Sequence, residues 1–176
     1  MNKEEMKATQ VVRMYSNEWS RLTPDQVSII LNNHNELPIK IGKIAKELGI
    51  TVKRATLQAG ISGEIKELDG QVTTRINRHD VKERQRFTLA HEIAHFLIHR
   101  DLIGDGIVDD ILYRSVLSDE LEQQANRLGA DILMPWNLVK ERLKLLEGKR
   151  IETKIETLAK EFEVSITAMQ IRLGKA

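Results

Sequence analysis

The sequence contains no cysteine. That excludes disulfides and thiolate metal sites and leaves histidine and carboxylate as the ligands for any zinc. No apolar run approaches the ~18 residues needed to span a bilayer, and the start MNKEEMKATQ lacks the apolar core of a signal peptide. The cytoplasm is therefore the expected compartment. An excess of one charge is missing too: 27 Lys and Arg against 26 Asp and Glu leave a net +1. The whole chain offers no strong field for nucleic acid, although a local basic patch stays open. Internal repeats and low-complexity linkers are absent. The 176 residues, 41% of them hydrophobic, suit one domain or one domain with a small appendage.

Against these absences stands RFTLAHEIAHFLIHR at 86–100. It sets His91, Glu92 and His95 in HExxH spacing. At 3.6 residues per turn the two histidines lie one turn apart on one helix face, where two imidazoles can grip one ion with Glu92 beside them. The five-letter pattern alone also fits two surface histidines and a solvated glutamate. Here Phe87, Leu89, Ala90, Ile93, Ala94, Phe96, Leu97 and Ile98 wrap the helix on nearly all sides, which predicts burial. Buried histidines and a buried glutamate need partners, and a metal supplies them.

A tetrahedral catalytic zinc takes three protein ligands and leaves one position for water. His99 repeats the spacing, but a straight helix carries it about 12 Å along the axis from His91. Metzincins turn the chain with a glycine at the position held here by Ile98. His99 is thus expected to support the site or the fold rather than to ligate. The third ligand is sought on SDELEQQANRLGADILMP at 118–135, with Ser118 as a plausible N-cap and Pro135 as a stop. Leu121, Ala125, Leu128, Gly129, Ile132 and Leu133 form one apolar arc. Glu122 falls inside it, Glu120 and Asp131 point away, and Asp119 lies beyond its edge. A glutamate on a core face demands a cation, which makes Glu122 the candidate ligand; a buried salt bridge to an arginine is the alternative. Gly129 would let another helix approach closely.

The three blocks RFTLAHEIAHFLIH, ExxANR and DILMP, in that order, resemble the ImmA/IrrE family of zinc metallo-endopeptidases. These are bacterial and phage proteins usually encoded beside helix-turn-helix repressors. The resemblance spans roughly 37–135 and continues more weakly through LAKEFEVSITAMQIRL at 158–173. It implies zinc held by His91, His95 and Glu122, Glu92 as general base, and a helix-turn-helix repressor as the substrate, cut so that its target genes are released. It also implies a small sheet beside the cleft, where an edge strand could pair with an extended substrate. The chain departs from the family at Leu128 and Gly129, where an aromatic and an alanine are common. That alters packing and leaves the proposed ligands in place.

The expected fold class is α+β: a mainly helical zincin-like domain of gluzincin type with a small β-sheet. Residues 1–36 read as an N-terminal helical extension, 37–135 as the metallopeptidase domain, and 136–176 as C-terminal helices packing on the same domain. Residues 1–22, with Val11, Val12, Met14, Tyr15 and Trp19, suggest an amphipathic first helix. Thr23, Pro24, Asp25 and Gln26 form a capping-box start, and 32–36 (NNHNE) reads as a loop. Ile41, Ile44, Ala45 and Leu48 repeat at helical spacing before Gly49. Ile61, Ile65, Val72 and Ile76 flank Asp69 and Gly70, the pattern of a hairpin. Apolar repeats through 138–146, 155–162 and 166–173 predict three more helices.

Two stretches, 44–57 and 158–173, have the look of helix-turn-helix units. The first lacks room for a recognition helix before Gly60, and alternation at Ala55, Leu57, Ala59 and Ile61 favours an extended strand. The second has few basic residues on a reading helix. A non-proteolytic regulatory or toxin–antitoxin partner, using the metallo-fold for protein or DNA binding, is the competing function. The connection 101–117 is expected to line the cleft. In it Tyr113 could donate a hydrogen bond to a developing oxyanion, though tyrosines more often fill a core or rim. Asp105, Asp109 and Asp110 lack the spacing of a calcium loop and read as solvated carboxylates. Asn126, in the ExxANR block, joins His99 as a candidate support of the site. His34 and His79 are expected at the surface or as caps.

Overall fold

The computed structural model describes residues 14–104, 106–110 (backbone only at 108–110) and 119–175. Val11, Val12, Asp105, Tyr113 and Ser118 lie outside the described residues, as do the side chains of Asp109 and Asp110. The fold is α+β and mostly helical, with one four-stranded sheet in the order β1-β3-β2-β4. No described helix is long and apolar enough to cross a membrane.

Where an amphipathic helix was expected in 1–22, the described part forms a short 3-10 helix, Asn17–Arg21. The helix α1 (Pro24–Asn32) starts on the expected capping box. The Thr23 hydroxyl accepts from the Gln26 amide while the Gln26 side chain accepts from the Thr23 amide. The helix α2 (Ile41–Glu47) buries Ile41, Ile44 and Ala45, and the chain leaves it through Gly49 at φ +81°.

The strand β1 (Thr51–Ala55) follows at once, so the 44–57 stretch is a helix and a strand, and no recognition helix forms there. A strand was expected to run on to Ile61, but β1 ends at Ala55. Gly60, at φ +90°, turns the chain into β2 (Ile61–Leu68). Asp69 and Gly70, both at positive φ, then close a tight hairpin onto β3 (Gln71–Asn77), pairing Leu68 with Gln71. On β3 the residues Val72, Thr74 and Ile76 alternate into the core. β1 runs parallel to β3, whereas β4 (Ile107–Asp110) pairs antiparallel with β2. The edges are therefore β1 and β4.

The helix α3 (Lys82–Ile98) packs on β2 and β3 and runs through the middle of the molecule. It has no side-chain N-cap, and every residue from Thr88 to Ile98 is buried, so burial rather than capping holds it. One further turn, α4 (Arg100–Ile103), ends at Gly104. The helix α5 (Asp119–Leu133) lies against α3 and buries Ala125, Leu128, Gly129, Ile132 and Leu133, most of the arc read from the sequence. Asp131 departs from that reading. It is 1% exposed, takes an ion pair from Arg172 at 2.9 Å and accepts the Ser16 amide at 2.7 Å. The three expected C-terminal helices are α6 (Trp136–Leu145), α7 (Ile151–Phe162) and α8 (Ile166–Arg172). The basic residue of α8, Arg172, is turned into Asp131 and away from any partner outside.

His34 also departs from expectation. It is 6% exposed, and its Nε2 donates to the carbonyl of Ile132 at 2.8 Å, tying the loop after α1 to the end of α5. Asn33 beside it donates to the Ile29 carbonyl and to Glu47. Two residues of the polar run NNHNE, Asn33 and His34, therefore turn inward to hydrogen-bond partners, which its composition does not reveal. His79 is exposed, as expected, and bonds Thr56.

Candidate metal centre

Two helices build the site. On α3, His91 and His95 share a face one turn apart, with Nε2 atoms 2.9 Å from each other. From α5, the Glu122 carboxylate reaches them, Oε2 lying 3.2 Å from His91 Nε2 and Oε1 3.6 Å from His95 Nε2. Each of the three residues offers a ligand atom, and these atoms all lie within 4.8 Å of one another. Both histidines are buried and Glu122 is partly exposed. His99 is not in this group; it stands where α3 ends.

The close approach of the two helices has a specific cause. A Cβ at Gly129 would lie 3.3 Å from the carbonyl carbon and oxygen of Ala90 and from the His91 amide nitrogen. The α5 backbone thus rests directly on the turn of α3 that carries the first histidine, the role the sequence suggested for Gly129. Gly63 was not singled out. A Cβ there would lie 2.5 Å from Thr88 Cγ2 and 3.0 Å from Glu92 Oε1, so β2 leaves room for the Glu92 carboxylate at that one residue. The pairing of β2 with β4 is irregular between Ile61 and Gly63. A glycine inside a strand pattern is the signal that marks such a bulge or close approach.

Hydrogen bonds on the far sides of the imidazoles decide which nitrogens face inward. His91 Nδ1 meets the Asn126 side-chain oxygen at 2.9 Å, an acceptor, so Nδ1 carries the proton and Nε2 a lone pair. His99 Nε2 meets the Gln124 oxygen at 3.0 Å and must donate, which leaves its Nδ1 as an acceptor. His95 Nδ1, 3.0 Å away, is then the donor, and His95 Nε2 again bears a lone pair. Two lone pairs directed at each other across 2.9 Å, with a carboxylate beside them, repel unless a cation lies among them. The donor set therefore fits a metal ion, and it is the nitrogen and oxygen set that zinc accepts. Burial pushes the basicity of His95 and of His99 down, against the opposing pull of Glu122 on the first and of the Gln124 hydrogen bond on the second. Both effects of burial favour the neutral imidazoles that bind metals.

A cavity of about 1120 Å³ adjoins Asn126 and Thr88, with His91, Glu92, His95 and Glu122 outside its wall. Asn126, which bonds His91, and Thr88, which touches the Gly63 position, belong to its wall, together with the apolar side chains of Phe87, Met134, Trp136 and Ile171.

Residues 45–174 match the family of peptidases described as the IrrE N-terminal-like domain. The chain belongs to this family. Among curated proteins it is similar to the metallopeptidase ImmA of Bacillus subtilis (strain 168), 29% identical over 66 residues that make up 38% of this chain and 37% of that protein. It is also similar to the radiation response metalloprotease IrrE of Deinococcus deserti, 42% identical over 72 residues, 39% of this chain and 24% of that protein. The matches thus span little more than a third, and about a quarter, of the lengths of these relatives.

Proposed function

We propose that this protein is a zinc-dependent endopeptidase of gluzincin type, with His91, His95 and Glu122 as zinc ligands and Glu92 as general base. The observation that carries the reading is the convergence of two outward-protonated imidazoles and one carboxylate from α3 and α5. The family and the metallopeptidase relatives agree with it. Zinc held there would supply Lewis-acid activation of water and of the scissile carbonyl. Glu92 accepts a proton from the attacking water as its oxygen bonds the carbonyl carbon. It returns that proton to the leaving nitrogen as the C–N bond breaks. No covalent enzyme intermediate is required. Asn126 and His99 hold the ligand imidazoles in the required tautomers, and β4, an edge strand among the described residues, could pair with an extended peptide. The substrate class is a helix-turn-helix transcriptional repressor encoded nearby, whose cleavage releases its target genes.

Incubating that repressor with the zinc-loaded protein, beside a repression reporter in cells, tests the reading. The parent protein should cut the repressor, while Glu92→Gln keeps its zinc and loses at least the ~10²- to 10⁴-fold rate that a general base supplies. If Glu92→Gln relieves repression in cells as well as the parent does, proteolysis is not the mechanism. A regulatory protein that works by binding, or a toxin–antitoxin partner, would then replace it.

A further inference from the structure

The hydrogen-bond chain behind His95 does not end within the matched residues. Gln124 could present either end of its amide to His99, and its two remaining contacts decide which. Arg21 Nη1, which can only donate, meets Gln124 Oε1 at 3.1 Å. Gln124 Nε2 donates to Glu120 Oε1 at 3.3 Å, and the Glu120 carboxylate can only accept. The amide is thereby held with its oxygen toward His99. Arg21 is itself held by a second bond, from Nη2 to the carbonyl of Ile98 at the end of α3. The 3-10 helix that carries it is fastened to α5 by Glu18, which is 5% exposed and takes a two-pronged pair from Arg127, its closest contact 2.7 Å. Arg127 also reaches Glu120 at 3.2 Å, which closes the network.

We propose that Arg21, on the segment that precedes residues 45–174, is a positioning residue of the metal centre. Through Gln124 and His99 it holds His95 in the tautomer whose Nε2 lone pair faces the ion. The order is fixed by donor and acceptor identity at each link. A donor-only guanidinium sets an amide oxygen, the oxygen takes the His99 Nε2 proton, and the bare His99 Nδ1 takes the His95 Nδ1 proton. The 3-10 helix Asn17–Arg21 thus serves metal binding from outside the matched domain. This inference rests on the reading of His91, His95 and Glu122 as zinc ligands.

Two measurements on the full chain test it. Long-range nitrogen–proton NMR of the zinc-loaded parent protein should find His99 protonated on Nε2 and bare on Nδ1; a proton on His99 Nδ1 would overturn the relay. Zinc affinity, measured by competition with a chromophoric chelator, should fall about 10-fold in Arg21→Ala and about 10- to 100-fold in Gln124→Met, the range that partners of metal ligands command. Arg21 is exposed, so its replacement leaves the fold intact, which circular dichroism checks. Gln124→Glu combined with Glu120→Gln keeps an acceptor for both His99 and Arg21 and a donor opposite it at position 120, and should bind zinc nearly as the parent does. Parent-like affinity in Arg21→Ala would refute the role of Arg21, and parent-like affinity in Gln124→Met as well would refute the whole relay, either result leaving the ligand reading intact. Loss in this double variant equal to that in Gln124→Met would assign the effect to packing and refute it too. A parent protein that binds no zinc removes the ligand reading and this inference together.

Discussion

Gly63→Ala is the perturbation whose outcome the structure specifies in most detail. The added methyl would sit 2.5 Å from Thr88 Cγ2 and 3.0 Å from Glu92 Oε1, with the Arg75 carbonyl at 3.5 Å. The first distance is far inside van der Waals contact, so something must move. Thr88 is 3% exposed at the start of the stretch of its helix that is buried through to Ile98, and a branched side chain there has few rotamers to escape into. Overpacking of this kind costs about 1–3 kcal/mol. Thr88→Ser removes the offending methyl at about 0.8 kcal/mol for the lost burial of one carbon. In a double-mutant cycle followed by urea melts, the pair should therefore be more stable than the two single effects added together, by roughly 1 kcal/mol or more. The second contact remains in the double variant. Peptide cleavage should accordingly stay depressed after stability is recovered, because the alanine methyl still crowds the Glu92 carboxylate, while zinc content is unchanged. Strict additivity of the two substitutions would refute the steric argument. Full recovery of cleavage in the double variant would refute the claim that Gly63 makes room for Glu92.

Two other outcomes follow from the geometry. Glu122→Ala should lower zinc affinity by more than the ~10- to 100-fold expected for a mere partner of a ligand, whereas Glu120→Ala, whose side chain is 64% exposed and supplies only one of the two contacts that orient the Gln124 amide, should lower it by about 10-fold at most; metal titration of the two variants side by side checks the helix phase. His34 is pushed down to about 4 by burial, so the unfolded chain binds its proton between the ordinary value of 6.5 and 4 while the folded protein does not. Stability from this group is full above pH 6.5 and is lost as pH falls toward 4, by about 3 kcal/mol in all. His34→Gln, which can still donate to Ile132, should flatten that part of the pH dependence of urea midpoints, and an equal slope in parent and variant would contradict the buried neutral imidazole.

Much of the site was legible because it is local. The spacing of His91 and His95 is a property of one helix, and the position of Glu122 on its arc is a property of another, so period and polarity alone place all three on inward faces. Gly129 could be read for the same reason. What escaped is long-range. Arg21 and Gln124 are 103 residues apart and meet through their side chains, which no local pattern encodes. Asp131 looked outward on its own helix because Arg172, 41 residues on, supplies the charge that makes its burial affordable. His34 sits in a run of polar residues, and nothing local says that a carbonyl 98 residues away waits for it. The hairpin at Asp69 and Gly70 was readable from turn chemistry, but the parallel pairing of β1 with β3 was not, since it joins strands with another between them in sequence.

The contact at Gly129 has a consequence for how the chain can change over time. Where the helices that carry His91, His95 and Glu122 touch main chain to main chain, the gauge between them at that point is set by peptide units that every sequence shares. The apolar residues around the contact can drift in size and shape while the mouth formed by His91, His95 and Glu122 keeps its width. Position 129 acts as the spacer between these two helices. Anything larger than an alanine there would pry the helices apart at the turn that carries His91, so the spacing of His91, His95 and Glu122, like the room for Glu92 at Gly63, hangs on a residue without a side chain.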